Sequence, residues 1–413
     1  MKFILAKKNK LRITFKKKIK PSCSLKQYQR GLTLVELMVA MTIGLFLLSA
    51  IGLVYMTSKT GFSYSNNTVR MSEDASFAID IMSRDIRMAA YGGCAGISLA
   101  RDDGVDDTLY TIDDVMDDPT LEASLSTPKL FSVTSLTDAF VAPNPFDSRP
   151  ITSENAIKGF LGTDTESSTA RTTLGIASST SYTVSTTAPI LYVAGGSEKA
   201  LQVSAAVAAG TSSITFPGDP LKWSNDTTNT FRLIADCKGS EIFRSTSMTA
   251  AGVMTTDKVL INSYSADALV TPLISSAYFL ATRKNGSASA KTPSLYRRYF
   301  NGVTENKEEL VPNVEAIALQ YGENTAVQTA GPQIGQPTFQ ADVYRAANAV
   351  TDWSRVVSIR MGFIMVSEDA NLTLGAEPTI TWIGGTYTPA STTDRRLRRA
   401  YSTTVSIRNR MGV

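Results

Sequence analysis

The 413-residue chain contains no histidine. That absence removes histidine-based acid/base catalysis, Ser-His-Asp and Cys-His nucleophile arrangements and the common zinc sites together. Also missing are a Gly-x-Ser-x-Gly elbow, a phosphate-binding Gly-Lys-Ser/Thr loop and a Gly-x-Gly-x-x-Gly fingerprint. No enzyme is expected, and no cofactor or metal. Cysteine is scarce, at Cys23, Cys94 and Cys237 only. Acidic residues are wholly missing from the first thirty positions, which hold eleven Lys or Arg. The net charge of +4 comes from 41 basic and 37 acidic residues, so without those eleven the balance turns to −7. The basicity is local and says nothing of nucleic-acid binding by the rest of the chain.

Behind the basic segment lies an apolar run from Leu32 to Met56 with one carboxylate, Glu36. Twenty-five helical residues rise about 37 Å, enough to cross a bilayer. The flanking cations keep the amino terminus cytoplasmic and send the remainder across the membrane. A secretory signal has a shorter apolar core of roughly 7–15 residues and an Ala-x-Ala-like site, which fits poorly; a plain signal anchor is the second alternative. A carboxylate inside an apolar span is costly and marks function. Glu36 either pairs with a cation, which would fix the axial register of packed helices, or reaches back to the membrane interface.

From Thr57 to about Ala90 there is no proline. Phe77, Ile81 and Met88, with Ala78, Met82, Ile86 and Ala89 alongside, form a helical stripe; Glu73, Asp74, Asp80, Arg84, Asp85 and Arg87 fall mostly off it. The stripe predicts a helix docked on a sheet, and Tyr91-Gly92-Gly93 is expected to end it through a left-handed glycine. Residues 101–185 turn to Asp, Ser, Thr and Gly, a loop-rich insertion with short strands. Eight aspartates between Asp102 and Asp118 come in pairs, but without EF-hand spacing, so a solvated acidic loop is expected there rather than a calcium site. Strands are predicted at 190–193, 213–216, 231–235, 259–261, 277–280, 294–298, 316–321, 356–366 and 401–408, and a polar loop at 322–341. The fold class is α+β, with a long amino-terminal helix carrying a mainly antiparallel head. Arg395, Arg396, Arg398 and Arg399 read as a basic strand edge that deters edge pairing; without interleaved aromatics a DNA surface is not expected.

Gly31-Leu32-Thr33-Leu34-Val35-Glu36 resembles the processing site of type IV prepilins and pseudopilins. The resemblance implies cleavage by a prepilin peptidase between Gly31 and Leu32 and N-methylation of Leu32, although Phe is usual there. Cleavage would remove Cys23 and leave Cys94 and Cys237, able to form one disulfide in an oxidising compartment or to remain as two buried thiols. Ser83-Arg84-Asp85-Ile86-Arg87-Met88-Ala89-Ala90-Tyr91-Gly92-Gly93-Cys94 resembles the helix end of PilW-type minor pilins, and Ala235-Asp236-Cys237 their second cysteine. Ser294-Leu295-Tyr296-Arg297, residues 309–315, Gln320-Tyr321-Gly322, residues 353–367 and Ile407-Arg408-Asn409-Arg410 resemble the same family.

The domain layout implied is a 1–31 leader, a 32–92 helix and a 93–413 head. The fold implied is pilin-like. The role implied is a minor pilin priming type IV pilus assembly and sitting at the tip, in support of twitching motility, adhesion or DNA uptake; the alternative is a pseudopilin of a type II secretion system. Expected partners are the prepilin peptidase, other minor pilins, the major pilin, a tip adhesin and the inner membrane. The implied localisation is a single pass of the inner membrane with a periplasmic head, then the pilus at the cell surface.

Overall fold

A computed structural model describes residues 33–91, 132–133, 156–226, 230–236, 240–257, 259–260, 262–284, 292–301, 305–325, 340–373, 375, 379–389 and 393–410. The chain divides into two compact units, Met1–Lys59 and Thr60–Val413.

Helix α1 (Leu34–Met88) begins in the first unit. Thr33 is its cap: its carbonyl accepts from the Leu37 N–H at 3.1 Å and its Oγ1 from the Glu36 N–H at 3.3 Å. A threonine three residues before a glutamate is the sequence of a capping box. The apolar part is long enough to cross a membrane, and its large side chains, from Leu34 to Met56, are exposed. Thr42, Ser49 and Thr57 donate their hydroxyls to the carbonyls of Val39, Phe46 and Leu53 at 2.8–2.9 Å. These polar atoms are thereby satisfied within the helix, the condition a hydrocarbon surrounding imposes.

In the second unit the same helix buries Met71, Ala75, Ala78, Met82 and Ile86. That face is rotated from the predicted one. Phe77 is exposed and Ile81 and Met88 are only half-buried. The alanines explain the rotation, since their small side chains let the helix axis approach the sheet where a phenylalanine ring would hold it away. Asp85, expected off the stripe, instead lies in the interface. The last residue of the helix is Met88 and Ala90 takes the left-handed conformation with φ 59°, while Gly92 and Gly93, expected to end the helix, lie outside the described residues.

The sheet beneath the helix orders its strands β14 (Val343–Arg345), β13 (Val314–Glu323), β15 (Val356–Val366) and β18 (Arg398–Ser406), all antiparallel. Val314, Ile317, Tyr321, Ile359, Met361, Phe363 and Met365 join the helix residues in one core. Register shifts in β13 at Val314/Ala316 and at Gly322/Glu323 bend the sheet around it. A hairpin of β16 (Ile380–Trp382) and β17 (Gly385–Tyr387) covers the opposite face. It can do so because Gly362 has no side chain: a Cβ there would stand 2.8 Å from Ile383 Cγ1.

A larger sheet is organised around β10 (Leu269–Arg283). The order β12 (Glu305–Val311), β11 (Ser294–Phe300), β10, β7 (Thr230–Ala235), β8 (Ser240–Met248), β9 (Val253–Thr256), β6 (Ser213–Thr215) runs through it. β10 also pairs with β3 (Tyr182–Val184), β4 (Ile190–Gly196) and β5 (Leu201–Gln202), while β2 (Ile157–Phe160) joins β4 and β1 (Ser132–Val133) pairs in parallel with β8. Pro272 lies where the β5 and β7 pairings give way to β4 and β11, a place where a missing N–H is tolerated. A separate core of Ile214, Phe216, Trp223, Phe243, Met254 and Val270 fills the lobe built from β5 to β9.

Most predicted strands are present, and the architecture is α+β as expected. Three differences stand out. Val259 and Leu260 lie in irregular backbone rather than a strand. The region expected as loops contains helix α2 (Thr165–Thr173), capped by Asp164, whose carboxylate accepts from the Ser167 N–H at 2.8 Å. β5, β8, β9, β12, β14, β16 and β17 lie outside the predicted strands.

Candidate functional site

Glu36 occupies the first turn of α1, exposed among Leu34, Val35, Leu37 and Met38. A carboxylate in a first turn is favoured by the helix dipole, by about 0.3–1 kcal/mol at exposed sites. Among the described residues no cation stands against it. Gly31 and Leu32, the expected cleavage and methylation positions, lie outside the described residues, as do Cys94, Cys237 and the Asp102–Asp118 cluster.

The second unit shows how the helix is held to its sheet. Asp85 Oδ2 accepts from Ser276 Oγ at 2.5 Å and from the Tyr278 hydroxyl at 2.6 Å, both on β10. Arg297 Nη1 stands 3.6 Å from the same oxygen. Burial, and then the Asp85 carboxylate, push the Tyr278 hydroxyl well above the usual tyrosine range, so it remains a donor. One turn of the helix is thus pinned by three donors to β10 and β11. Further back, Asn67 Nδ2 donates to Asp369 Oδ2 at 2.8 Å, and Arg70 pairs with Glu368 at 3.2 Å.

At the helix end, the Ala90 N–H donates to the Ala194 carbonyl at 2.9 Å and the Gly196 N–H to the Tyr91 carbonyl at 3.0 Å. Asn409 Nδ2 satisfies the Ala89 carbonyl at 3.0 Å. The close approach needs Gly195, where a Cβ would stand 2.5 Å from the Met88 carbonyl oxygen. Backbone groups that a helix terminus leaves without partners are therefore taken up by β4 and by the segment after β18.

Of the four arginines expected as a basic strand edge, only Arg399 is exposed. Arg398 is buried and bridges Glu315, at 2.6 Å, and Asp394, at 2.8 Å. Arg396 donates to Thr292 Oγ1 and the Glu368 carbonyl, Arg395 to the Thr373 carbonyl, and Arg399 to the Tyr64 hydroxyl. These bonds fasten the β18 approach to the rest of the head, and the buried Arg398 guanidinium has the carboxylates that a buried fork-shaped donor needs. Asp85, Asn67 and Gly195 were missed as docking residues. The legible signal was the pair Ala75 and Ala78, which marks the face of closest approach.

Two family models match the chain. One, described as type IV pilus-assembly protein W, covers residues 277–409. The other, the prokaryotic N-terminal methylation motif, covers residues 26–52. The two matches support a PilW-type minor pilin. No curated relative matches the chain. The PilW match begins within β10 and contains all four strands that carry the helix, and the methylation-motif match contains Gly31, Leu32 and Glu36. The fold is accordingly pilin-like, a long helix on an antiparallel sheet, and the apolar helix with its prepilin-type motif supports membrane anchoring and association with pili. Residues between the two matches, including the lobe of β5 to β9, are matched by neither model.

Proposed function

We propose that this chain is a minor pilin that joins other minor pilins to prime type IV pilus assembly and sits at the pilus tip, its head having crossed the inner membrane. Prepilin peptidase would cut between Gly31 and Leu32, and the new Leu32 amine would be methylated. Glu36 would then pair with that amine, on its own chain or on a neighbour, and set the register of packed helices. The layout of leader (1–31), helix (32–92) and head (93–413) follows from the same reading. A tip position would place the head where twitching motility, attachment to surfaces through an adhesin or DNA uptake begin. The role is structural, not enzymatic.

The observation that carries this reading is the match to a pilus-assembly protein over residues 277–409, the segment that forms the sheet under α1. It favours the pilus over the secretion pseudopilin, whose leader and helix would look the same. Deleting the gene decides between them. Loss of surface pili with secretion of exported enzymes intact supports the proposal, whereas intact piliation with blocked secretion assigns the chain to a secretion system.

A further inference from the structure

The two sheets end in strands of opposite character. β12 carries Glu305, Lys307, Glu308 and Glu309, the kind of charged edge that resists pairing with another chain. β18 is nine residues long, and from Ala400 to Ser406 it reads Ala, Tyr, Ser, Thr, Thr, Val, Ser, with neither charge nor proline. Its ladder identifies which groups are open. The Ile407 N–H donates to the Val357 carbonyl and the Ser367 N–H to the Leu397 carbonyl. Both are directly opposed residues in the register that pairs Ser358 with Ser406. In an antiparallel ladder hydrogen-bonded and non-bonded pairs alternate. Odd-numbered residues of β18 therefore bond to β15, and Ala400, Ser402 and Thr404 turn their N–H and C=O groups to the edge that no other described strand pairs with. All three are exposed. The β16–β17 hairpin rests on the sheet face at Gly362.

We infer that the β18 edge accepts an extended segment of a partner protein as an added strand. Main-chain bonds at Ala400, Ser402 and Thr404 would supply the pairing, as in other strand-addition complexes. Charge specifies the occupant. Exposed Arg399 precedes the uncharged run within β18, and exposed Arg408 follows it at the start of the short 3-10 turn Arg408–Arg410. The matching segment has an uncharged, β-branched middle with an acidic residue at each end. This inference does not rest on the pilus reading. It concerns an edge of the head, and its test involves no pilus.

The test uses the full-length protein in detergent and a synthetic nonapeptide, Asp-Thr-Val-Thr-Ile-Thr-Val-Thr-Glu, with a control carrying lysine at both ends. Hydrogen exchange should show the Ala400, Ser402 and Thr404 amides open in the free protein and protected with the acidic peptide, the odd-numbered amides being protected throughout. The lysine-ended control should bind about tenfold more weakly or not at all, and Ser402→Pro, which removes one outward N–H, should weaken the acidic peptide about tenfold or more. Should Ser402→Pro not fold, the exchange pattern and the lysine control decide the matter. Absence of protection at the three even-numbered amides overturns the inference, as does equal binding of both peptides. So does protection that already appears without peptide and grows with protein concentration, which would give the edge to a second copy.

Discussion

Asp85 is the residue whose loss should be felt most in the head. It is one carboxylate shared by Ser276, Tyr278 and Arg297 across the helix–sheet interface. Asp85→Ala would leave two hydroxyls and part of a guanidinium without their acceptor, at a cost of about 2–4 kcal/mol. Asp85→Asn should cost less, since an amide oxygen still accepts. Urea unfolding of the two variants gives both numbers, and equal stability of wild type and Asp85→Ala would remove the residue from the account. Two further aspartates respond to pH with opposite sign. The Arg398 hydrogen bond holds the Asp394 carboxyl below the usual carboxylate range. Its contribution is therefore complete above a pH of about 3.9 and is lost as pH falls from there through the lowered folded value. Burial, and then Glu73, raise the Asp74 carboxyl. Its charged form is penalised by folding, so that penalty is present at neutral pH and disappears as pH falls through the raised value. Asp74→Asn should raise stability at pH 7, and Asp394→Asn should lower it there and flatten the loss in acid. Melting temperatures from pH 7 to pH 3 test both signs.

Among the elements, the end of α1 is the best specified and was the least legible. Gly195→Ala would place a methyl 2.5 Å from the Met88 carbonyl oxygen, a backbone atom that cannot swing away. The helix terminus would have to lift from β4, at a cost of about 1–3 kcal/mol, with the Ala90 amide newly open to hydrogen exchange. A glycine pair in a strand advertises close backbone approach, yet nothing in the sequence says which element approaches. The left-handed Ala90 is not legible for a related reason: bonds from Ala90 to Ala194 and from Asn409 to Ala89, both long-range, hold it at φ 59°. β15 was read with its observed bounds because Val, Ile, Phe and Met crowd it, whereas β12 was invisible. Its Glu-Asn-Lys-Glu-Glu run has no strand propensity and is held by Arg298–Glu305 and Arg297–Glu308 pairs to β11. We propose that Cys94 and Cys237, the two cysteines left after cleavage, form a bridge, which closes a loop of 142 intervening residues between the segment after α1 and the segment after β7. In the chain-entropy model a loop of this size is worth roughly 4–5 kcal/mol. Mass spectrometry of unreduced peptides should find the linked pair, and alkylation of both thiols in native protein would refute it.

At the scale of the whole molecule, the two units place different demands on the chain. The head is held internally by the Asp85, Asn67 and Arg398 contacts, all after Lys59. Glu36 contributes nothing to that network. It stands exposed in the apolar part of α1 with its backbone amide capped by Thr33 and its carboxylate facing no cation among the described residues. Its motif was plain in the sequence because a lone acid in an apolar run is unusual. Its partner was not, because register between helices belongs to an assembly and not to one chain. Glu36→Ala should therefore leave folding, membrane insertion and cleavage after Gly31 intact, with the mature protein beginning at Leu32. What should fail is entry into the complex with other minor pilins, since an ion pair in an apolar surrounding favours one axial alignment and penalises the rest. Glu36→Asp keeps the charge on a shorter arm and should retain part of the function, which separates charge from helix propensity. Complementation of a deletion strain, read as surface piliation and as co-purification with minor pilins, measures the effect. Normal piliation by Glu36→Ala would show that the carboxylate merely reaches the membrane interface.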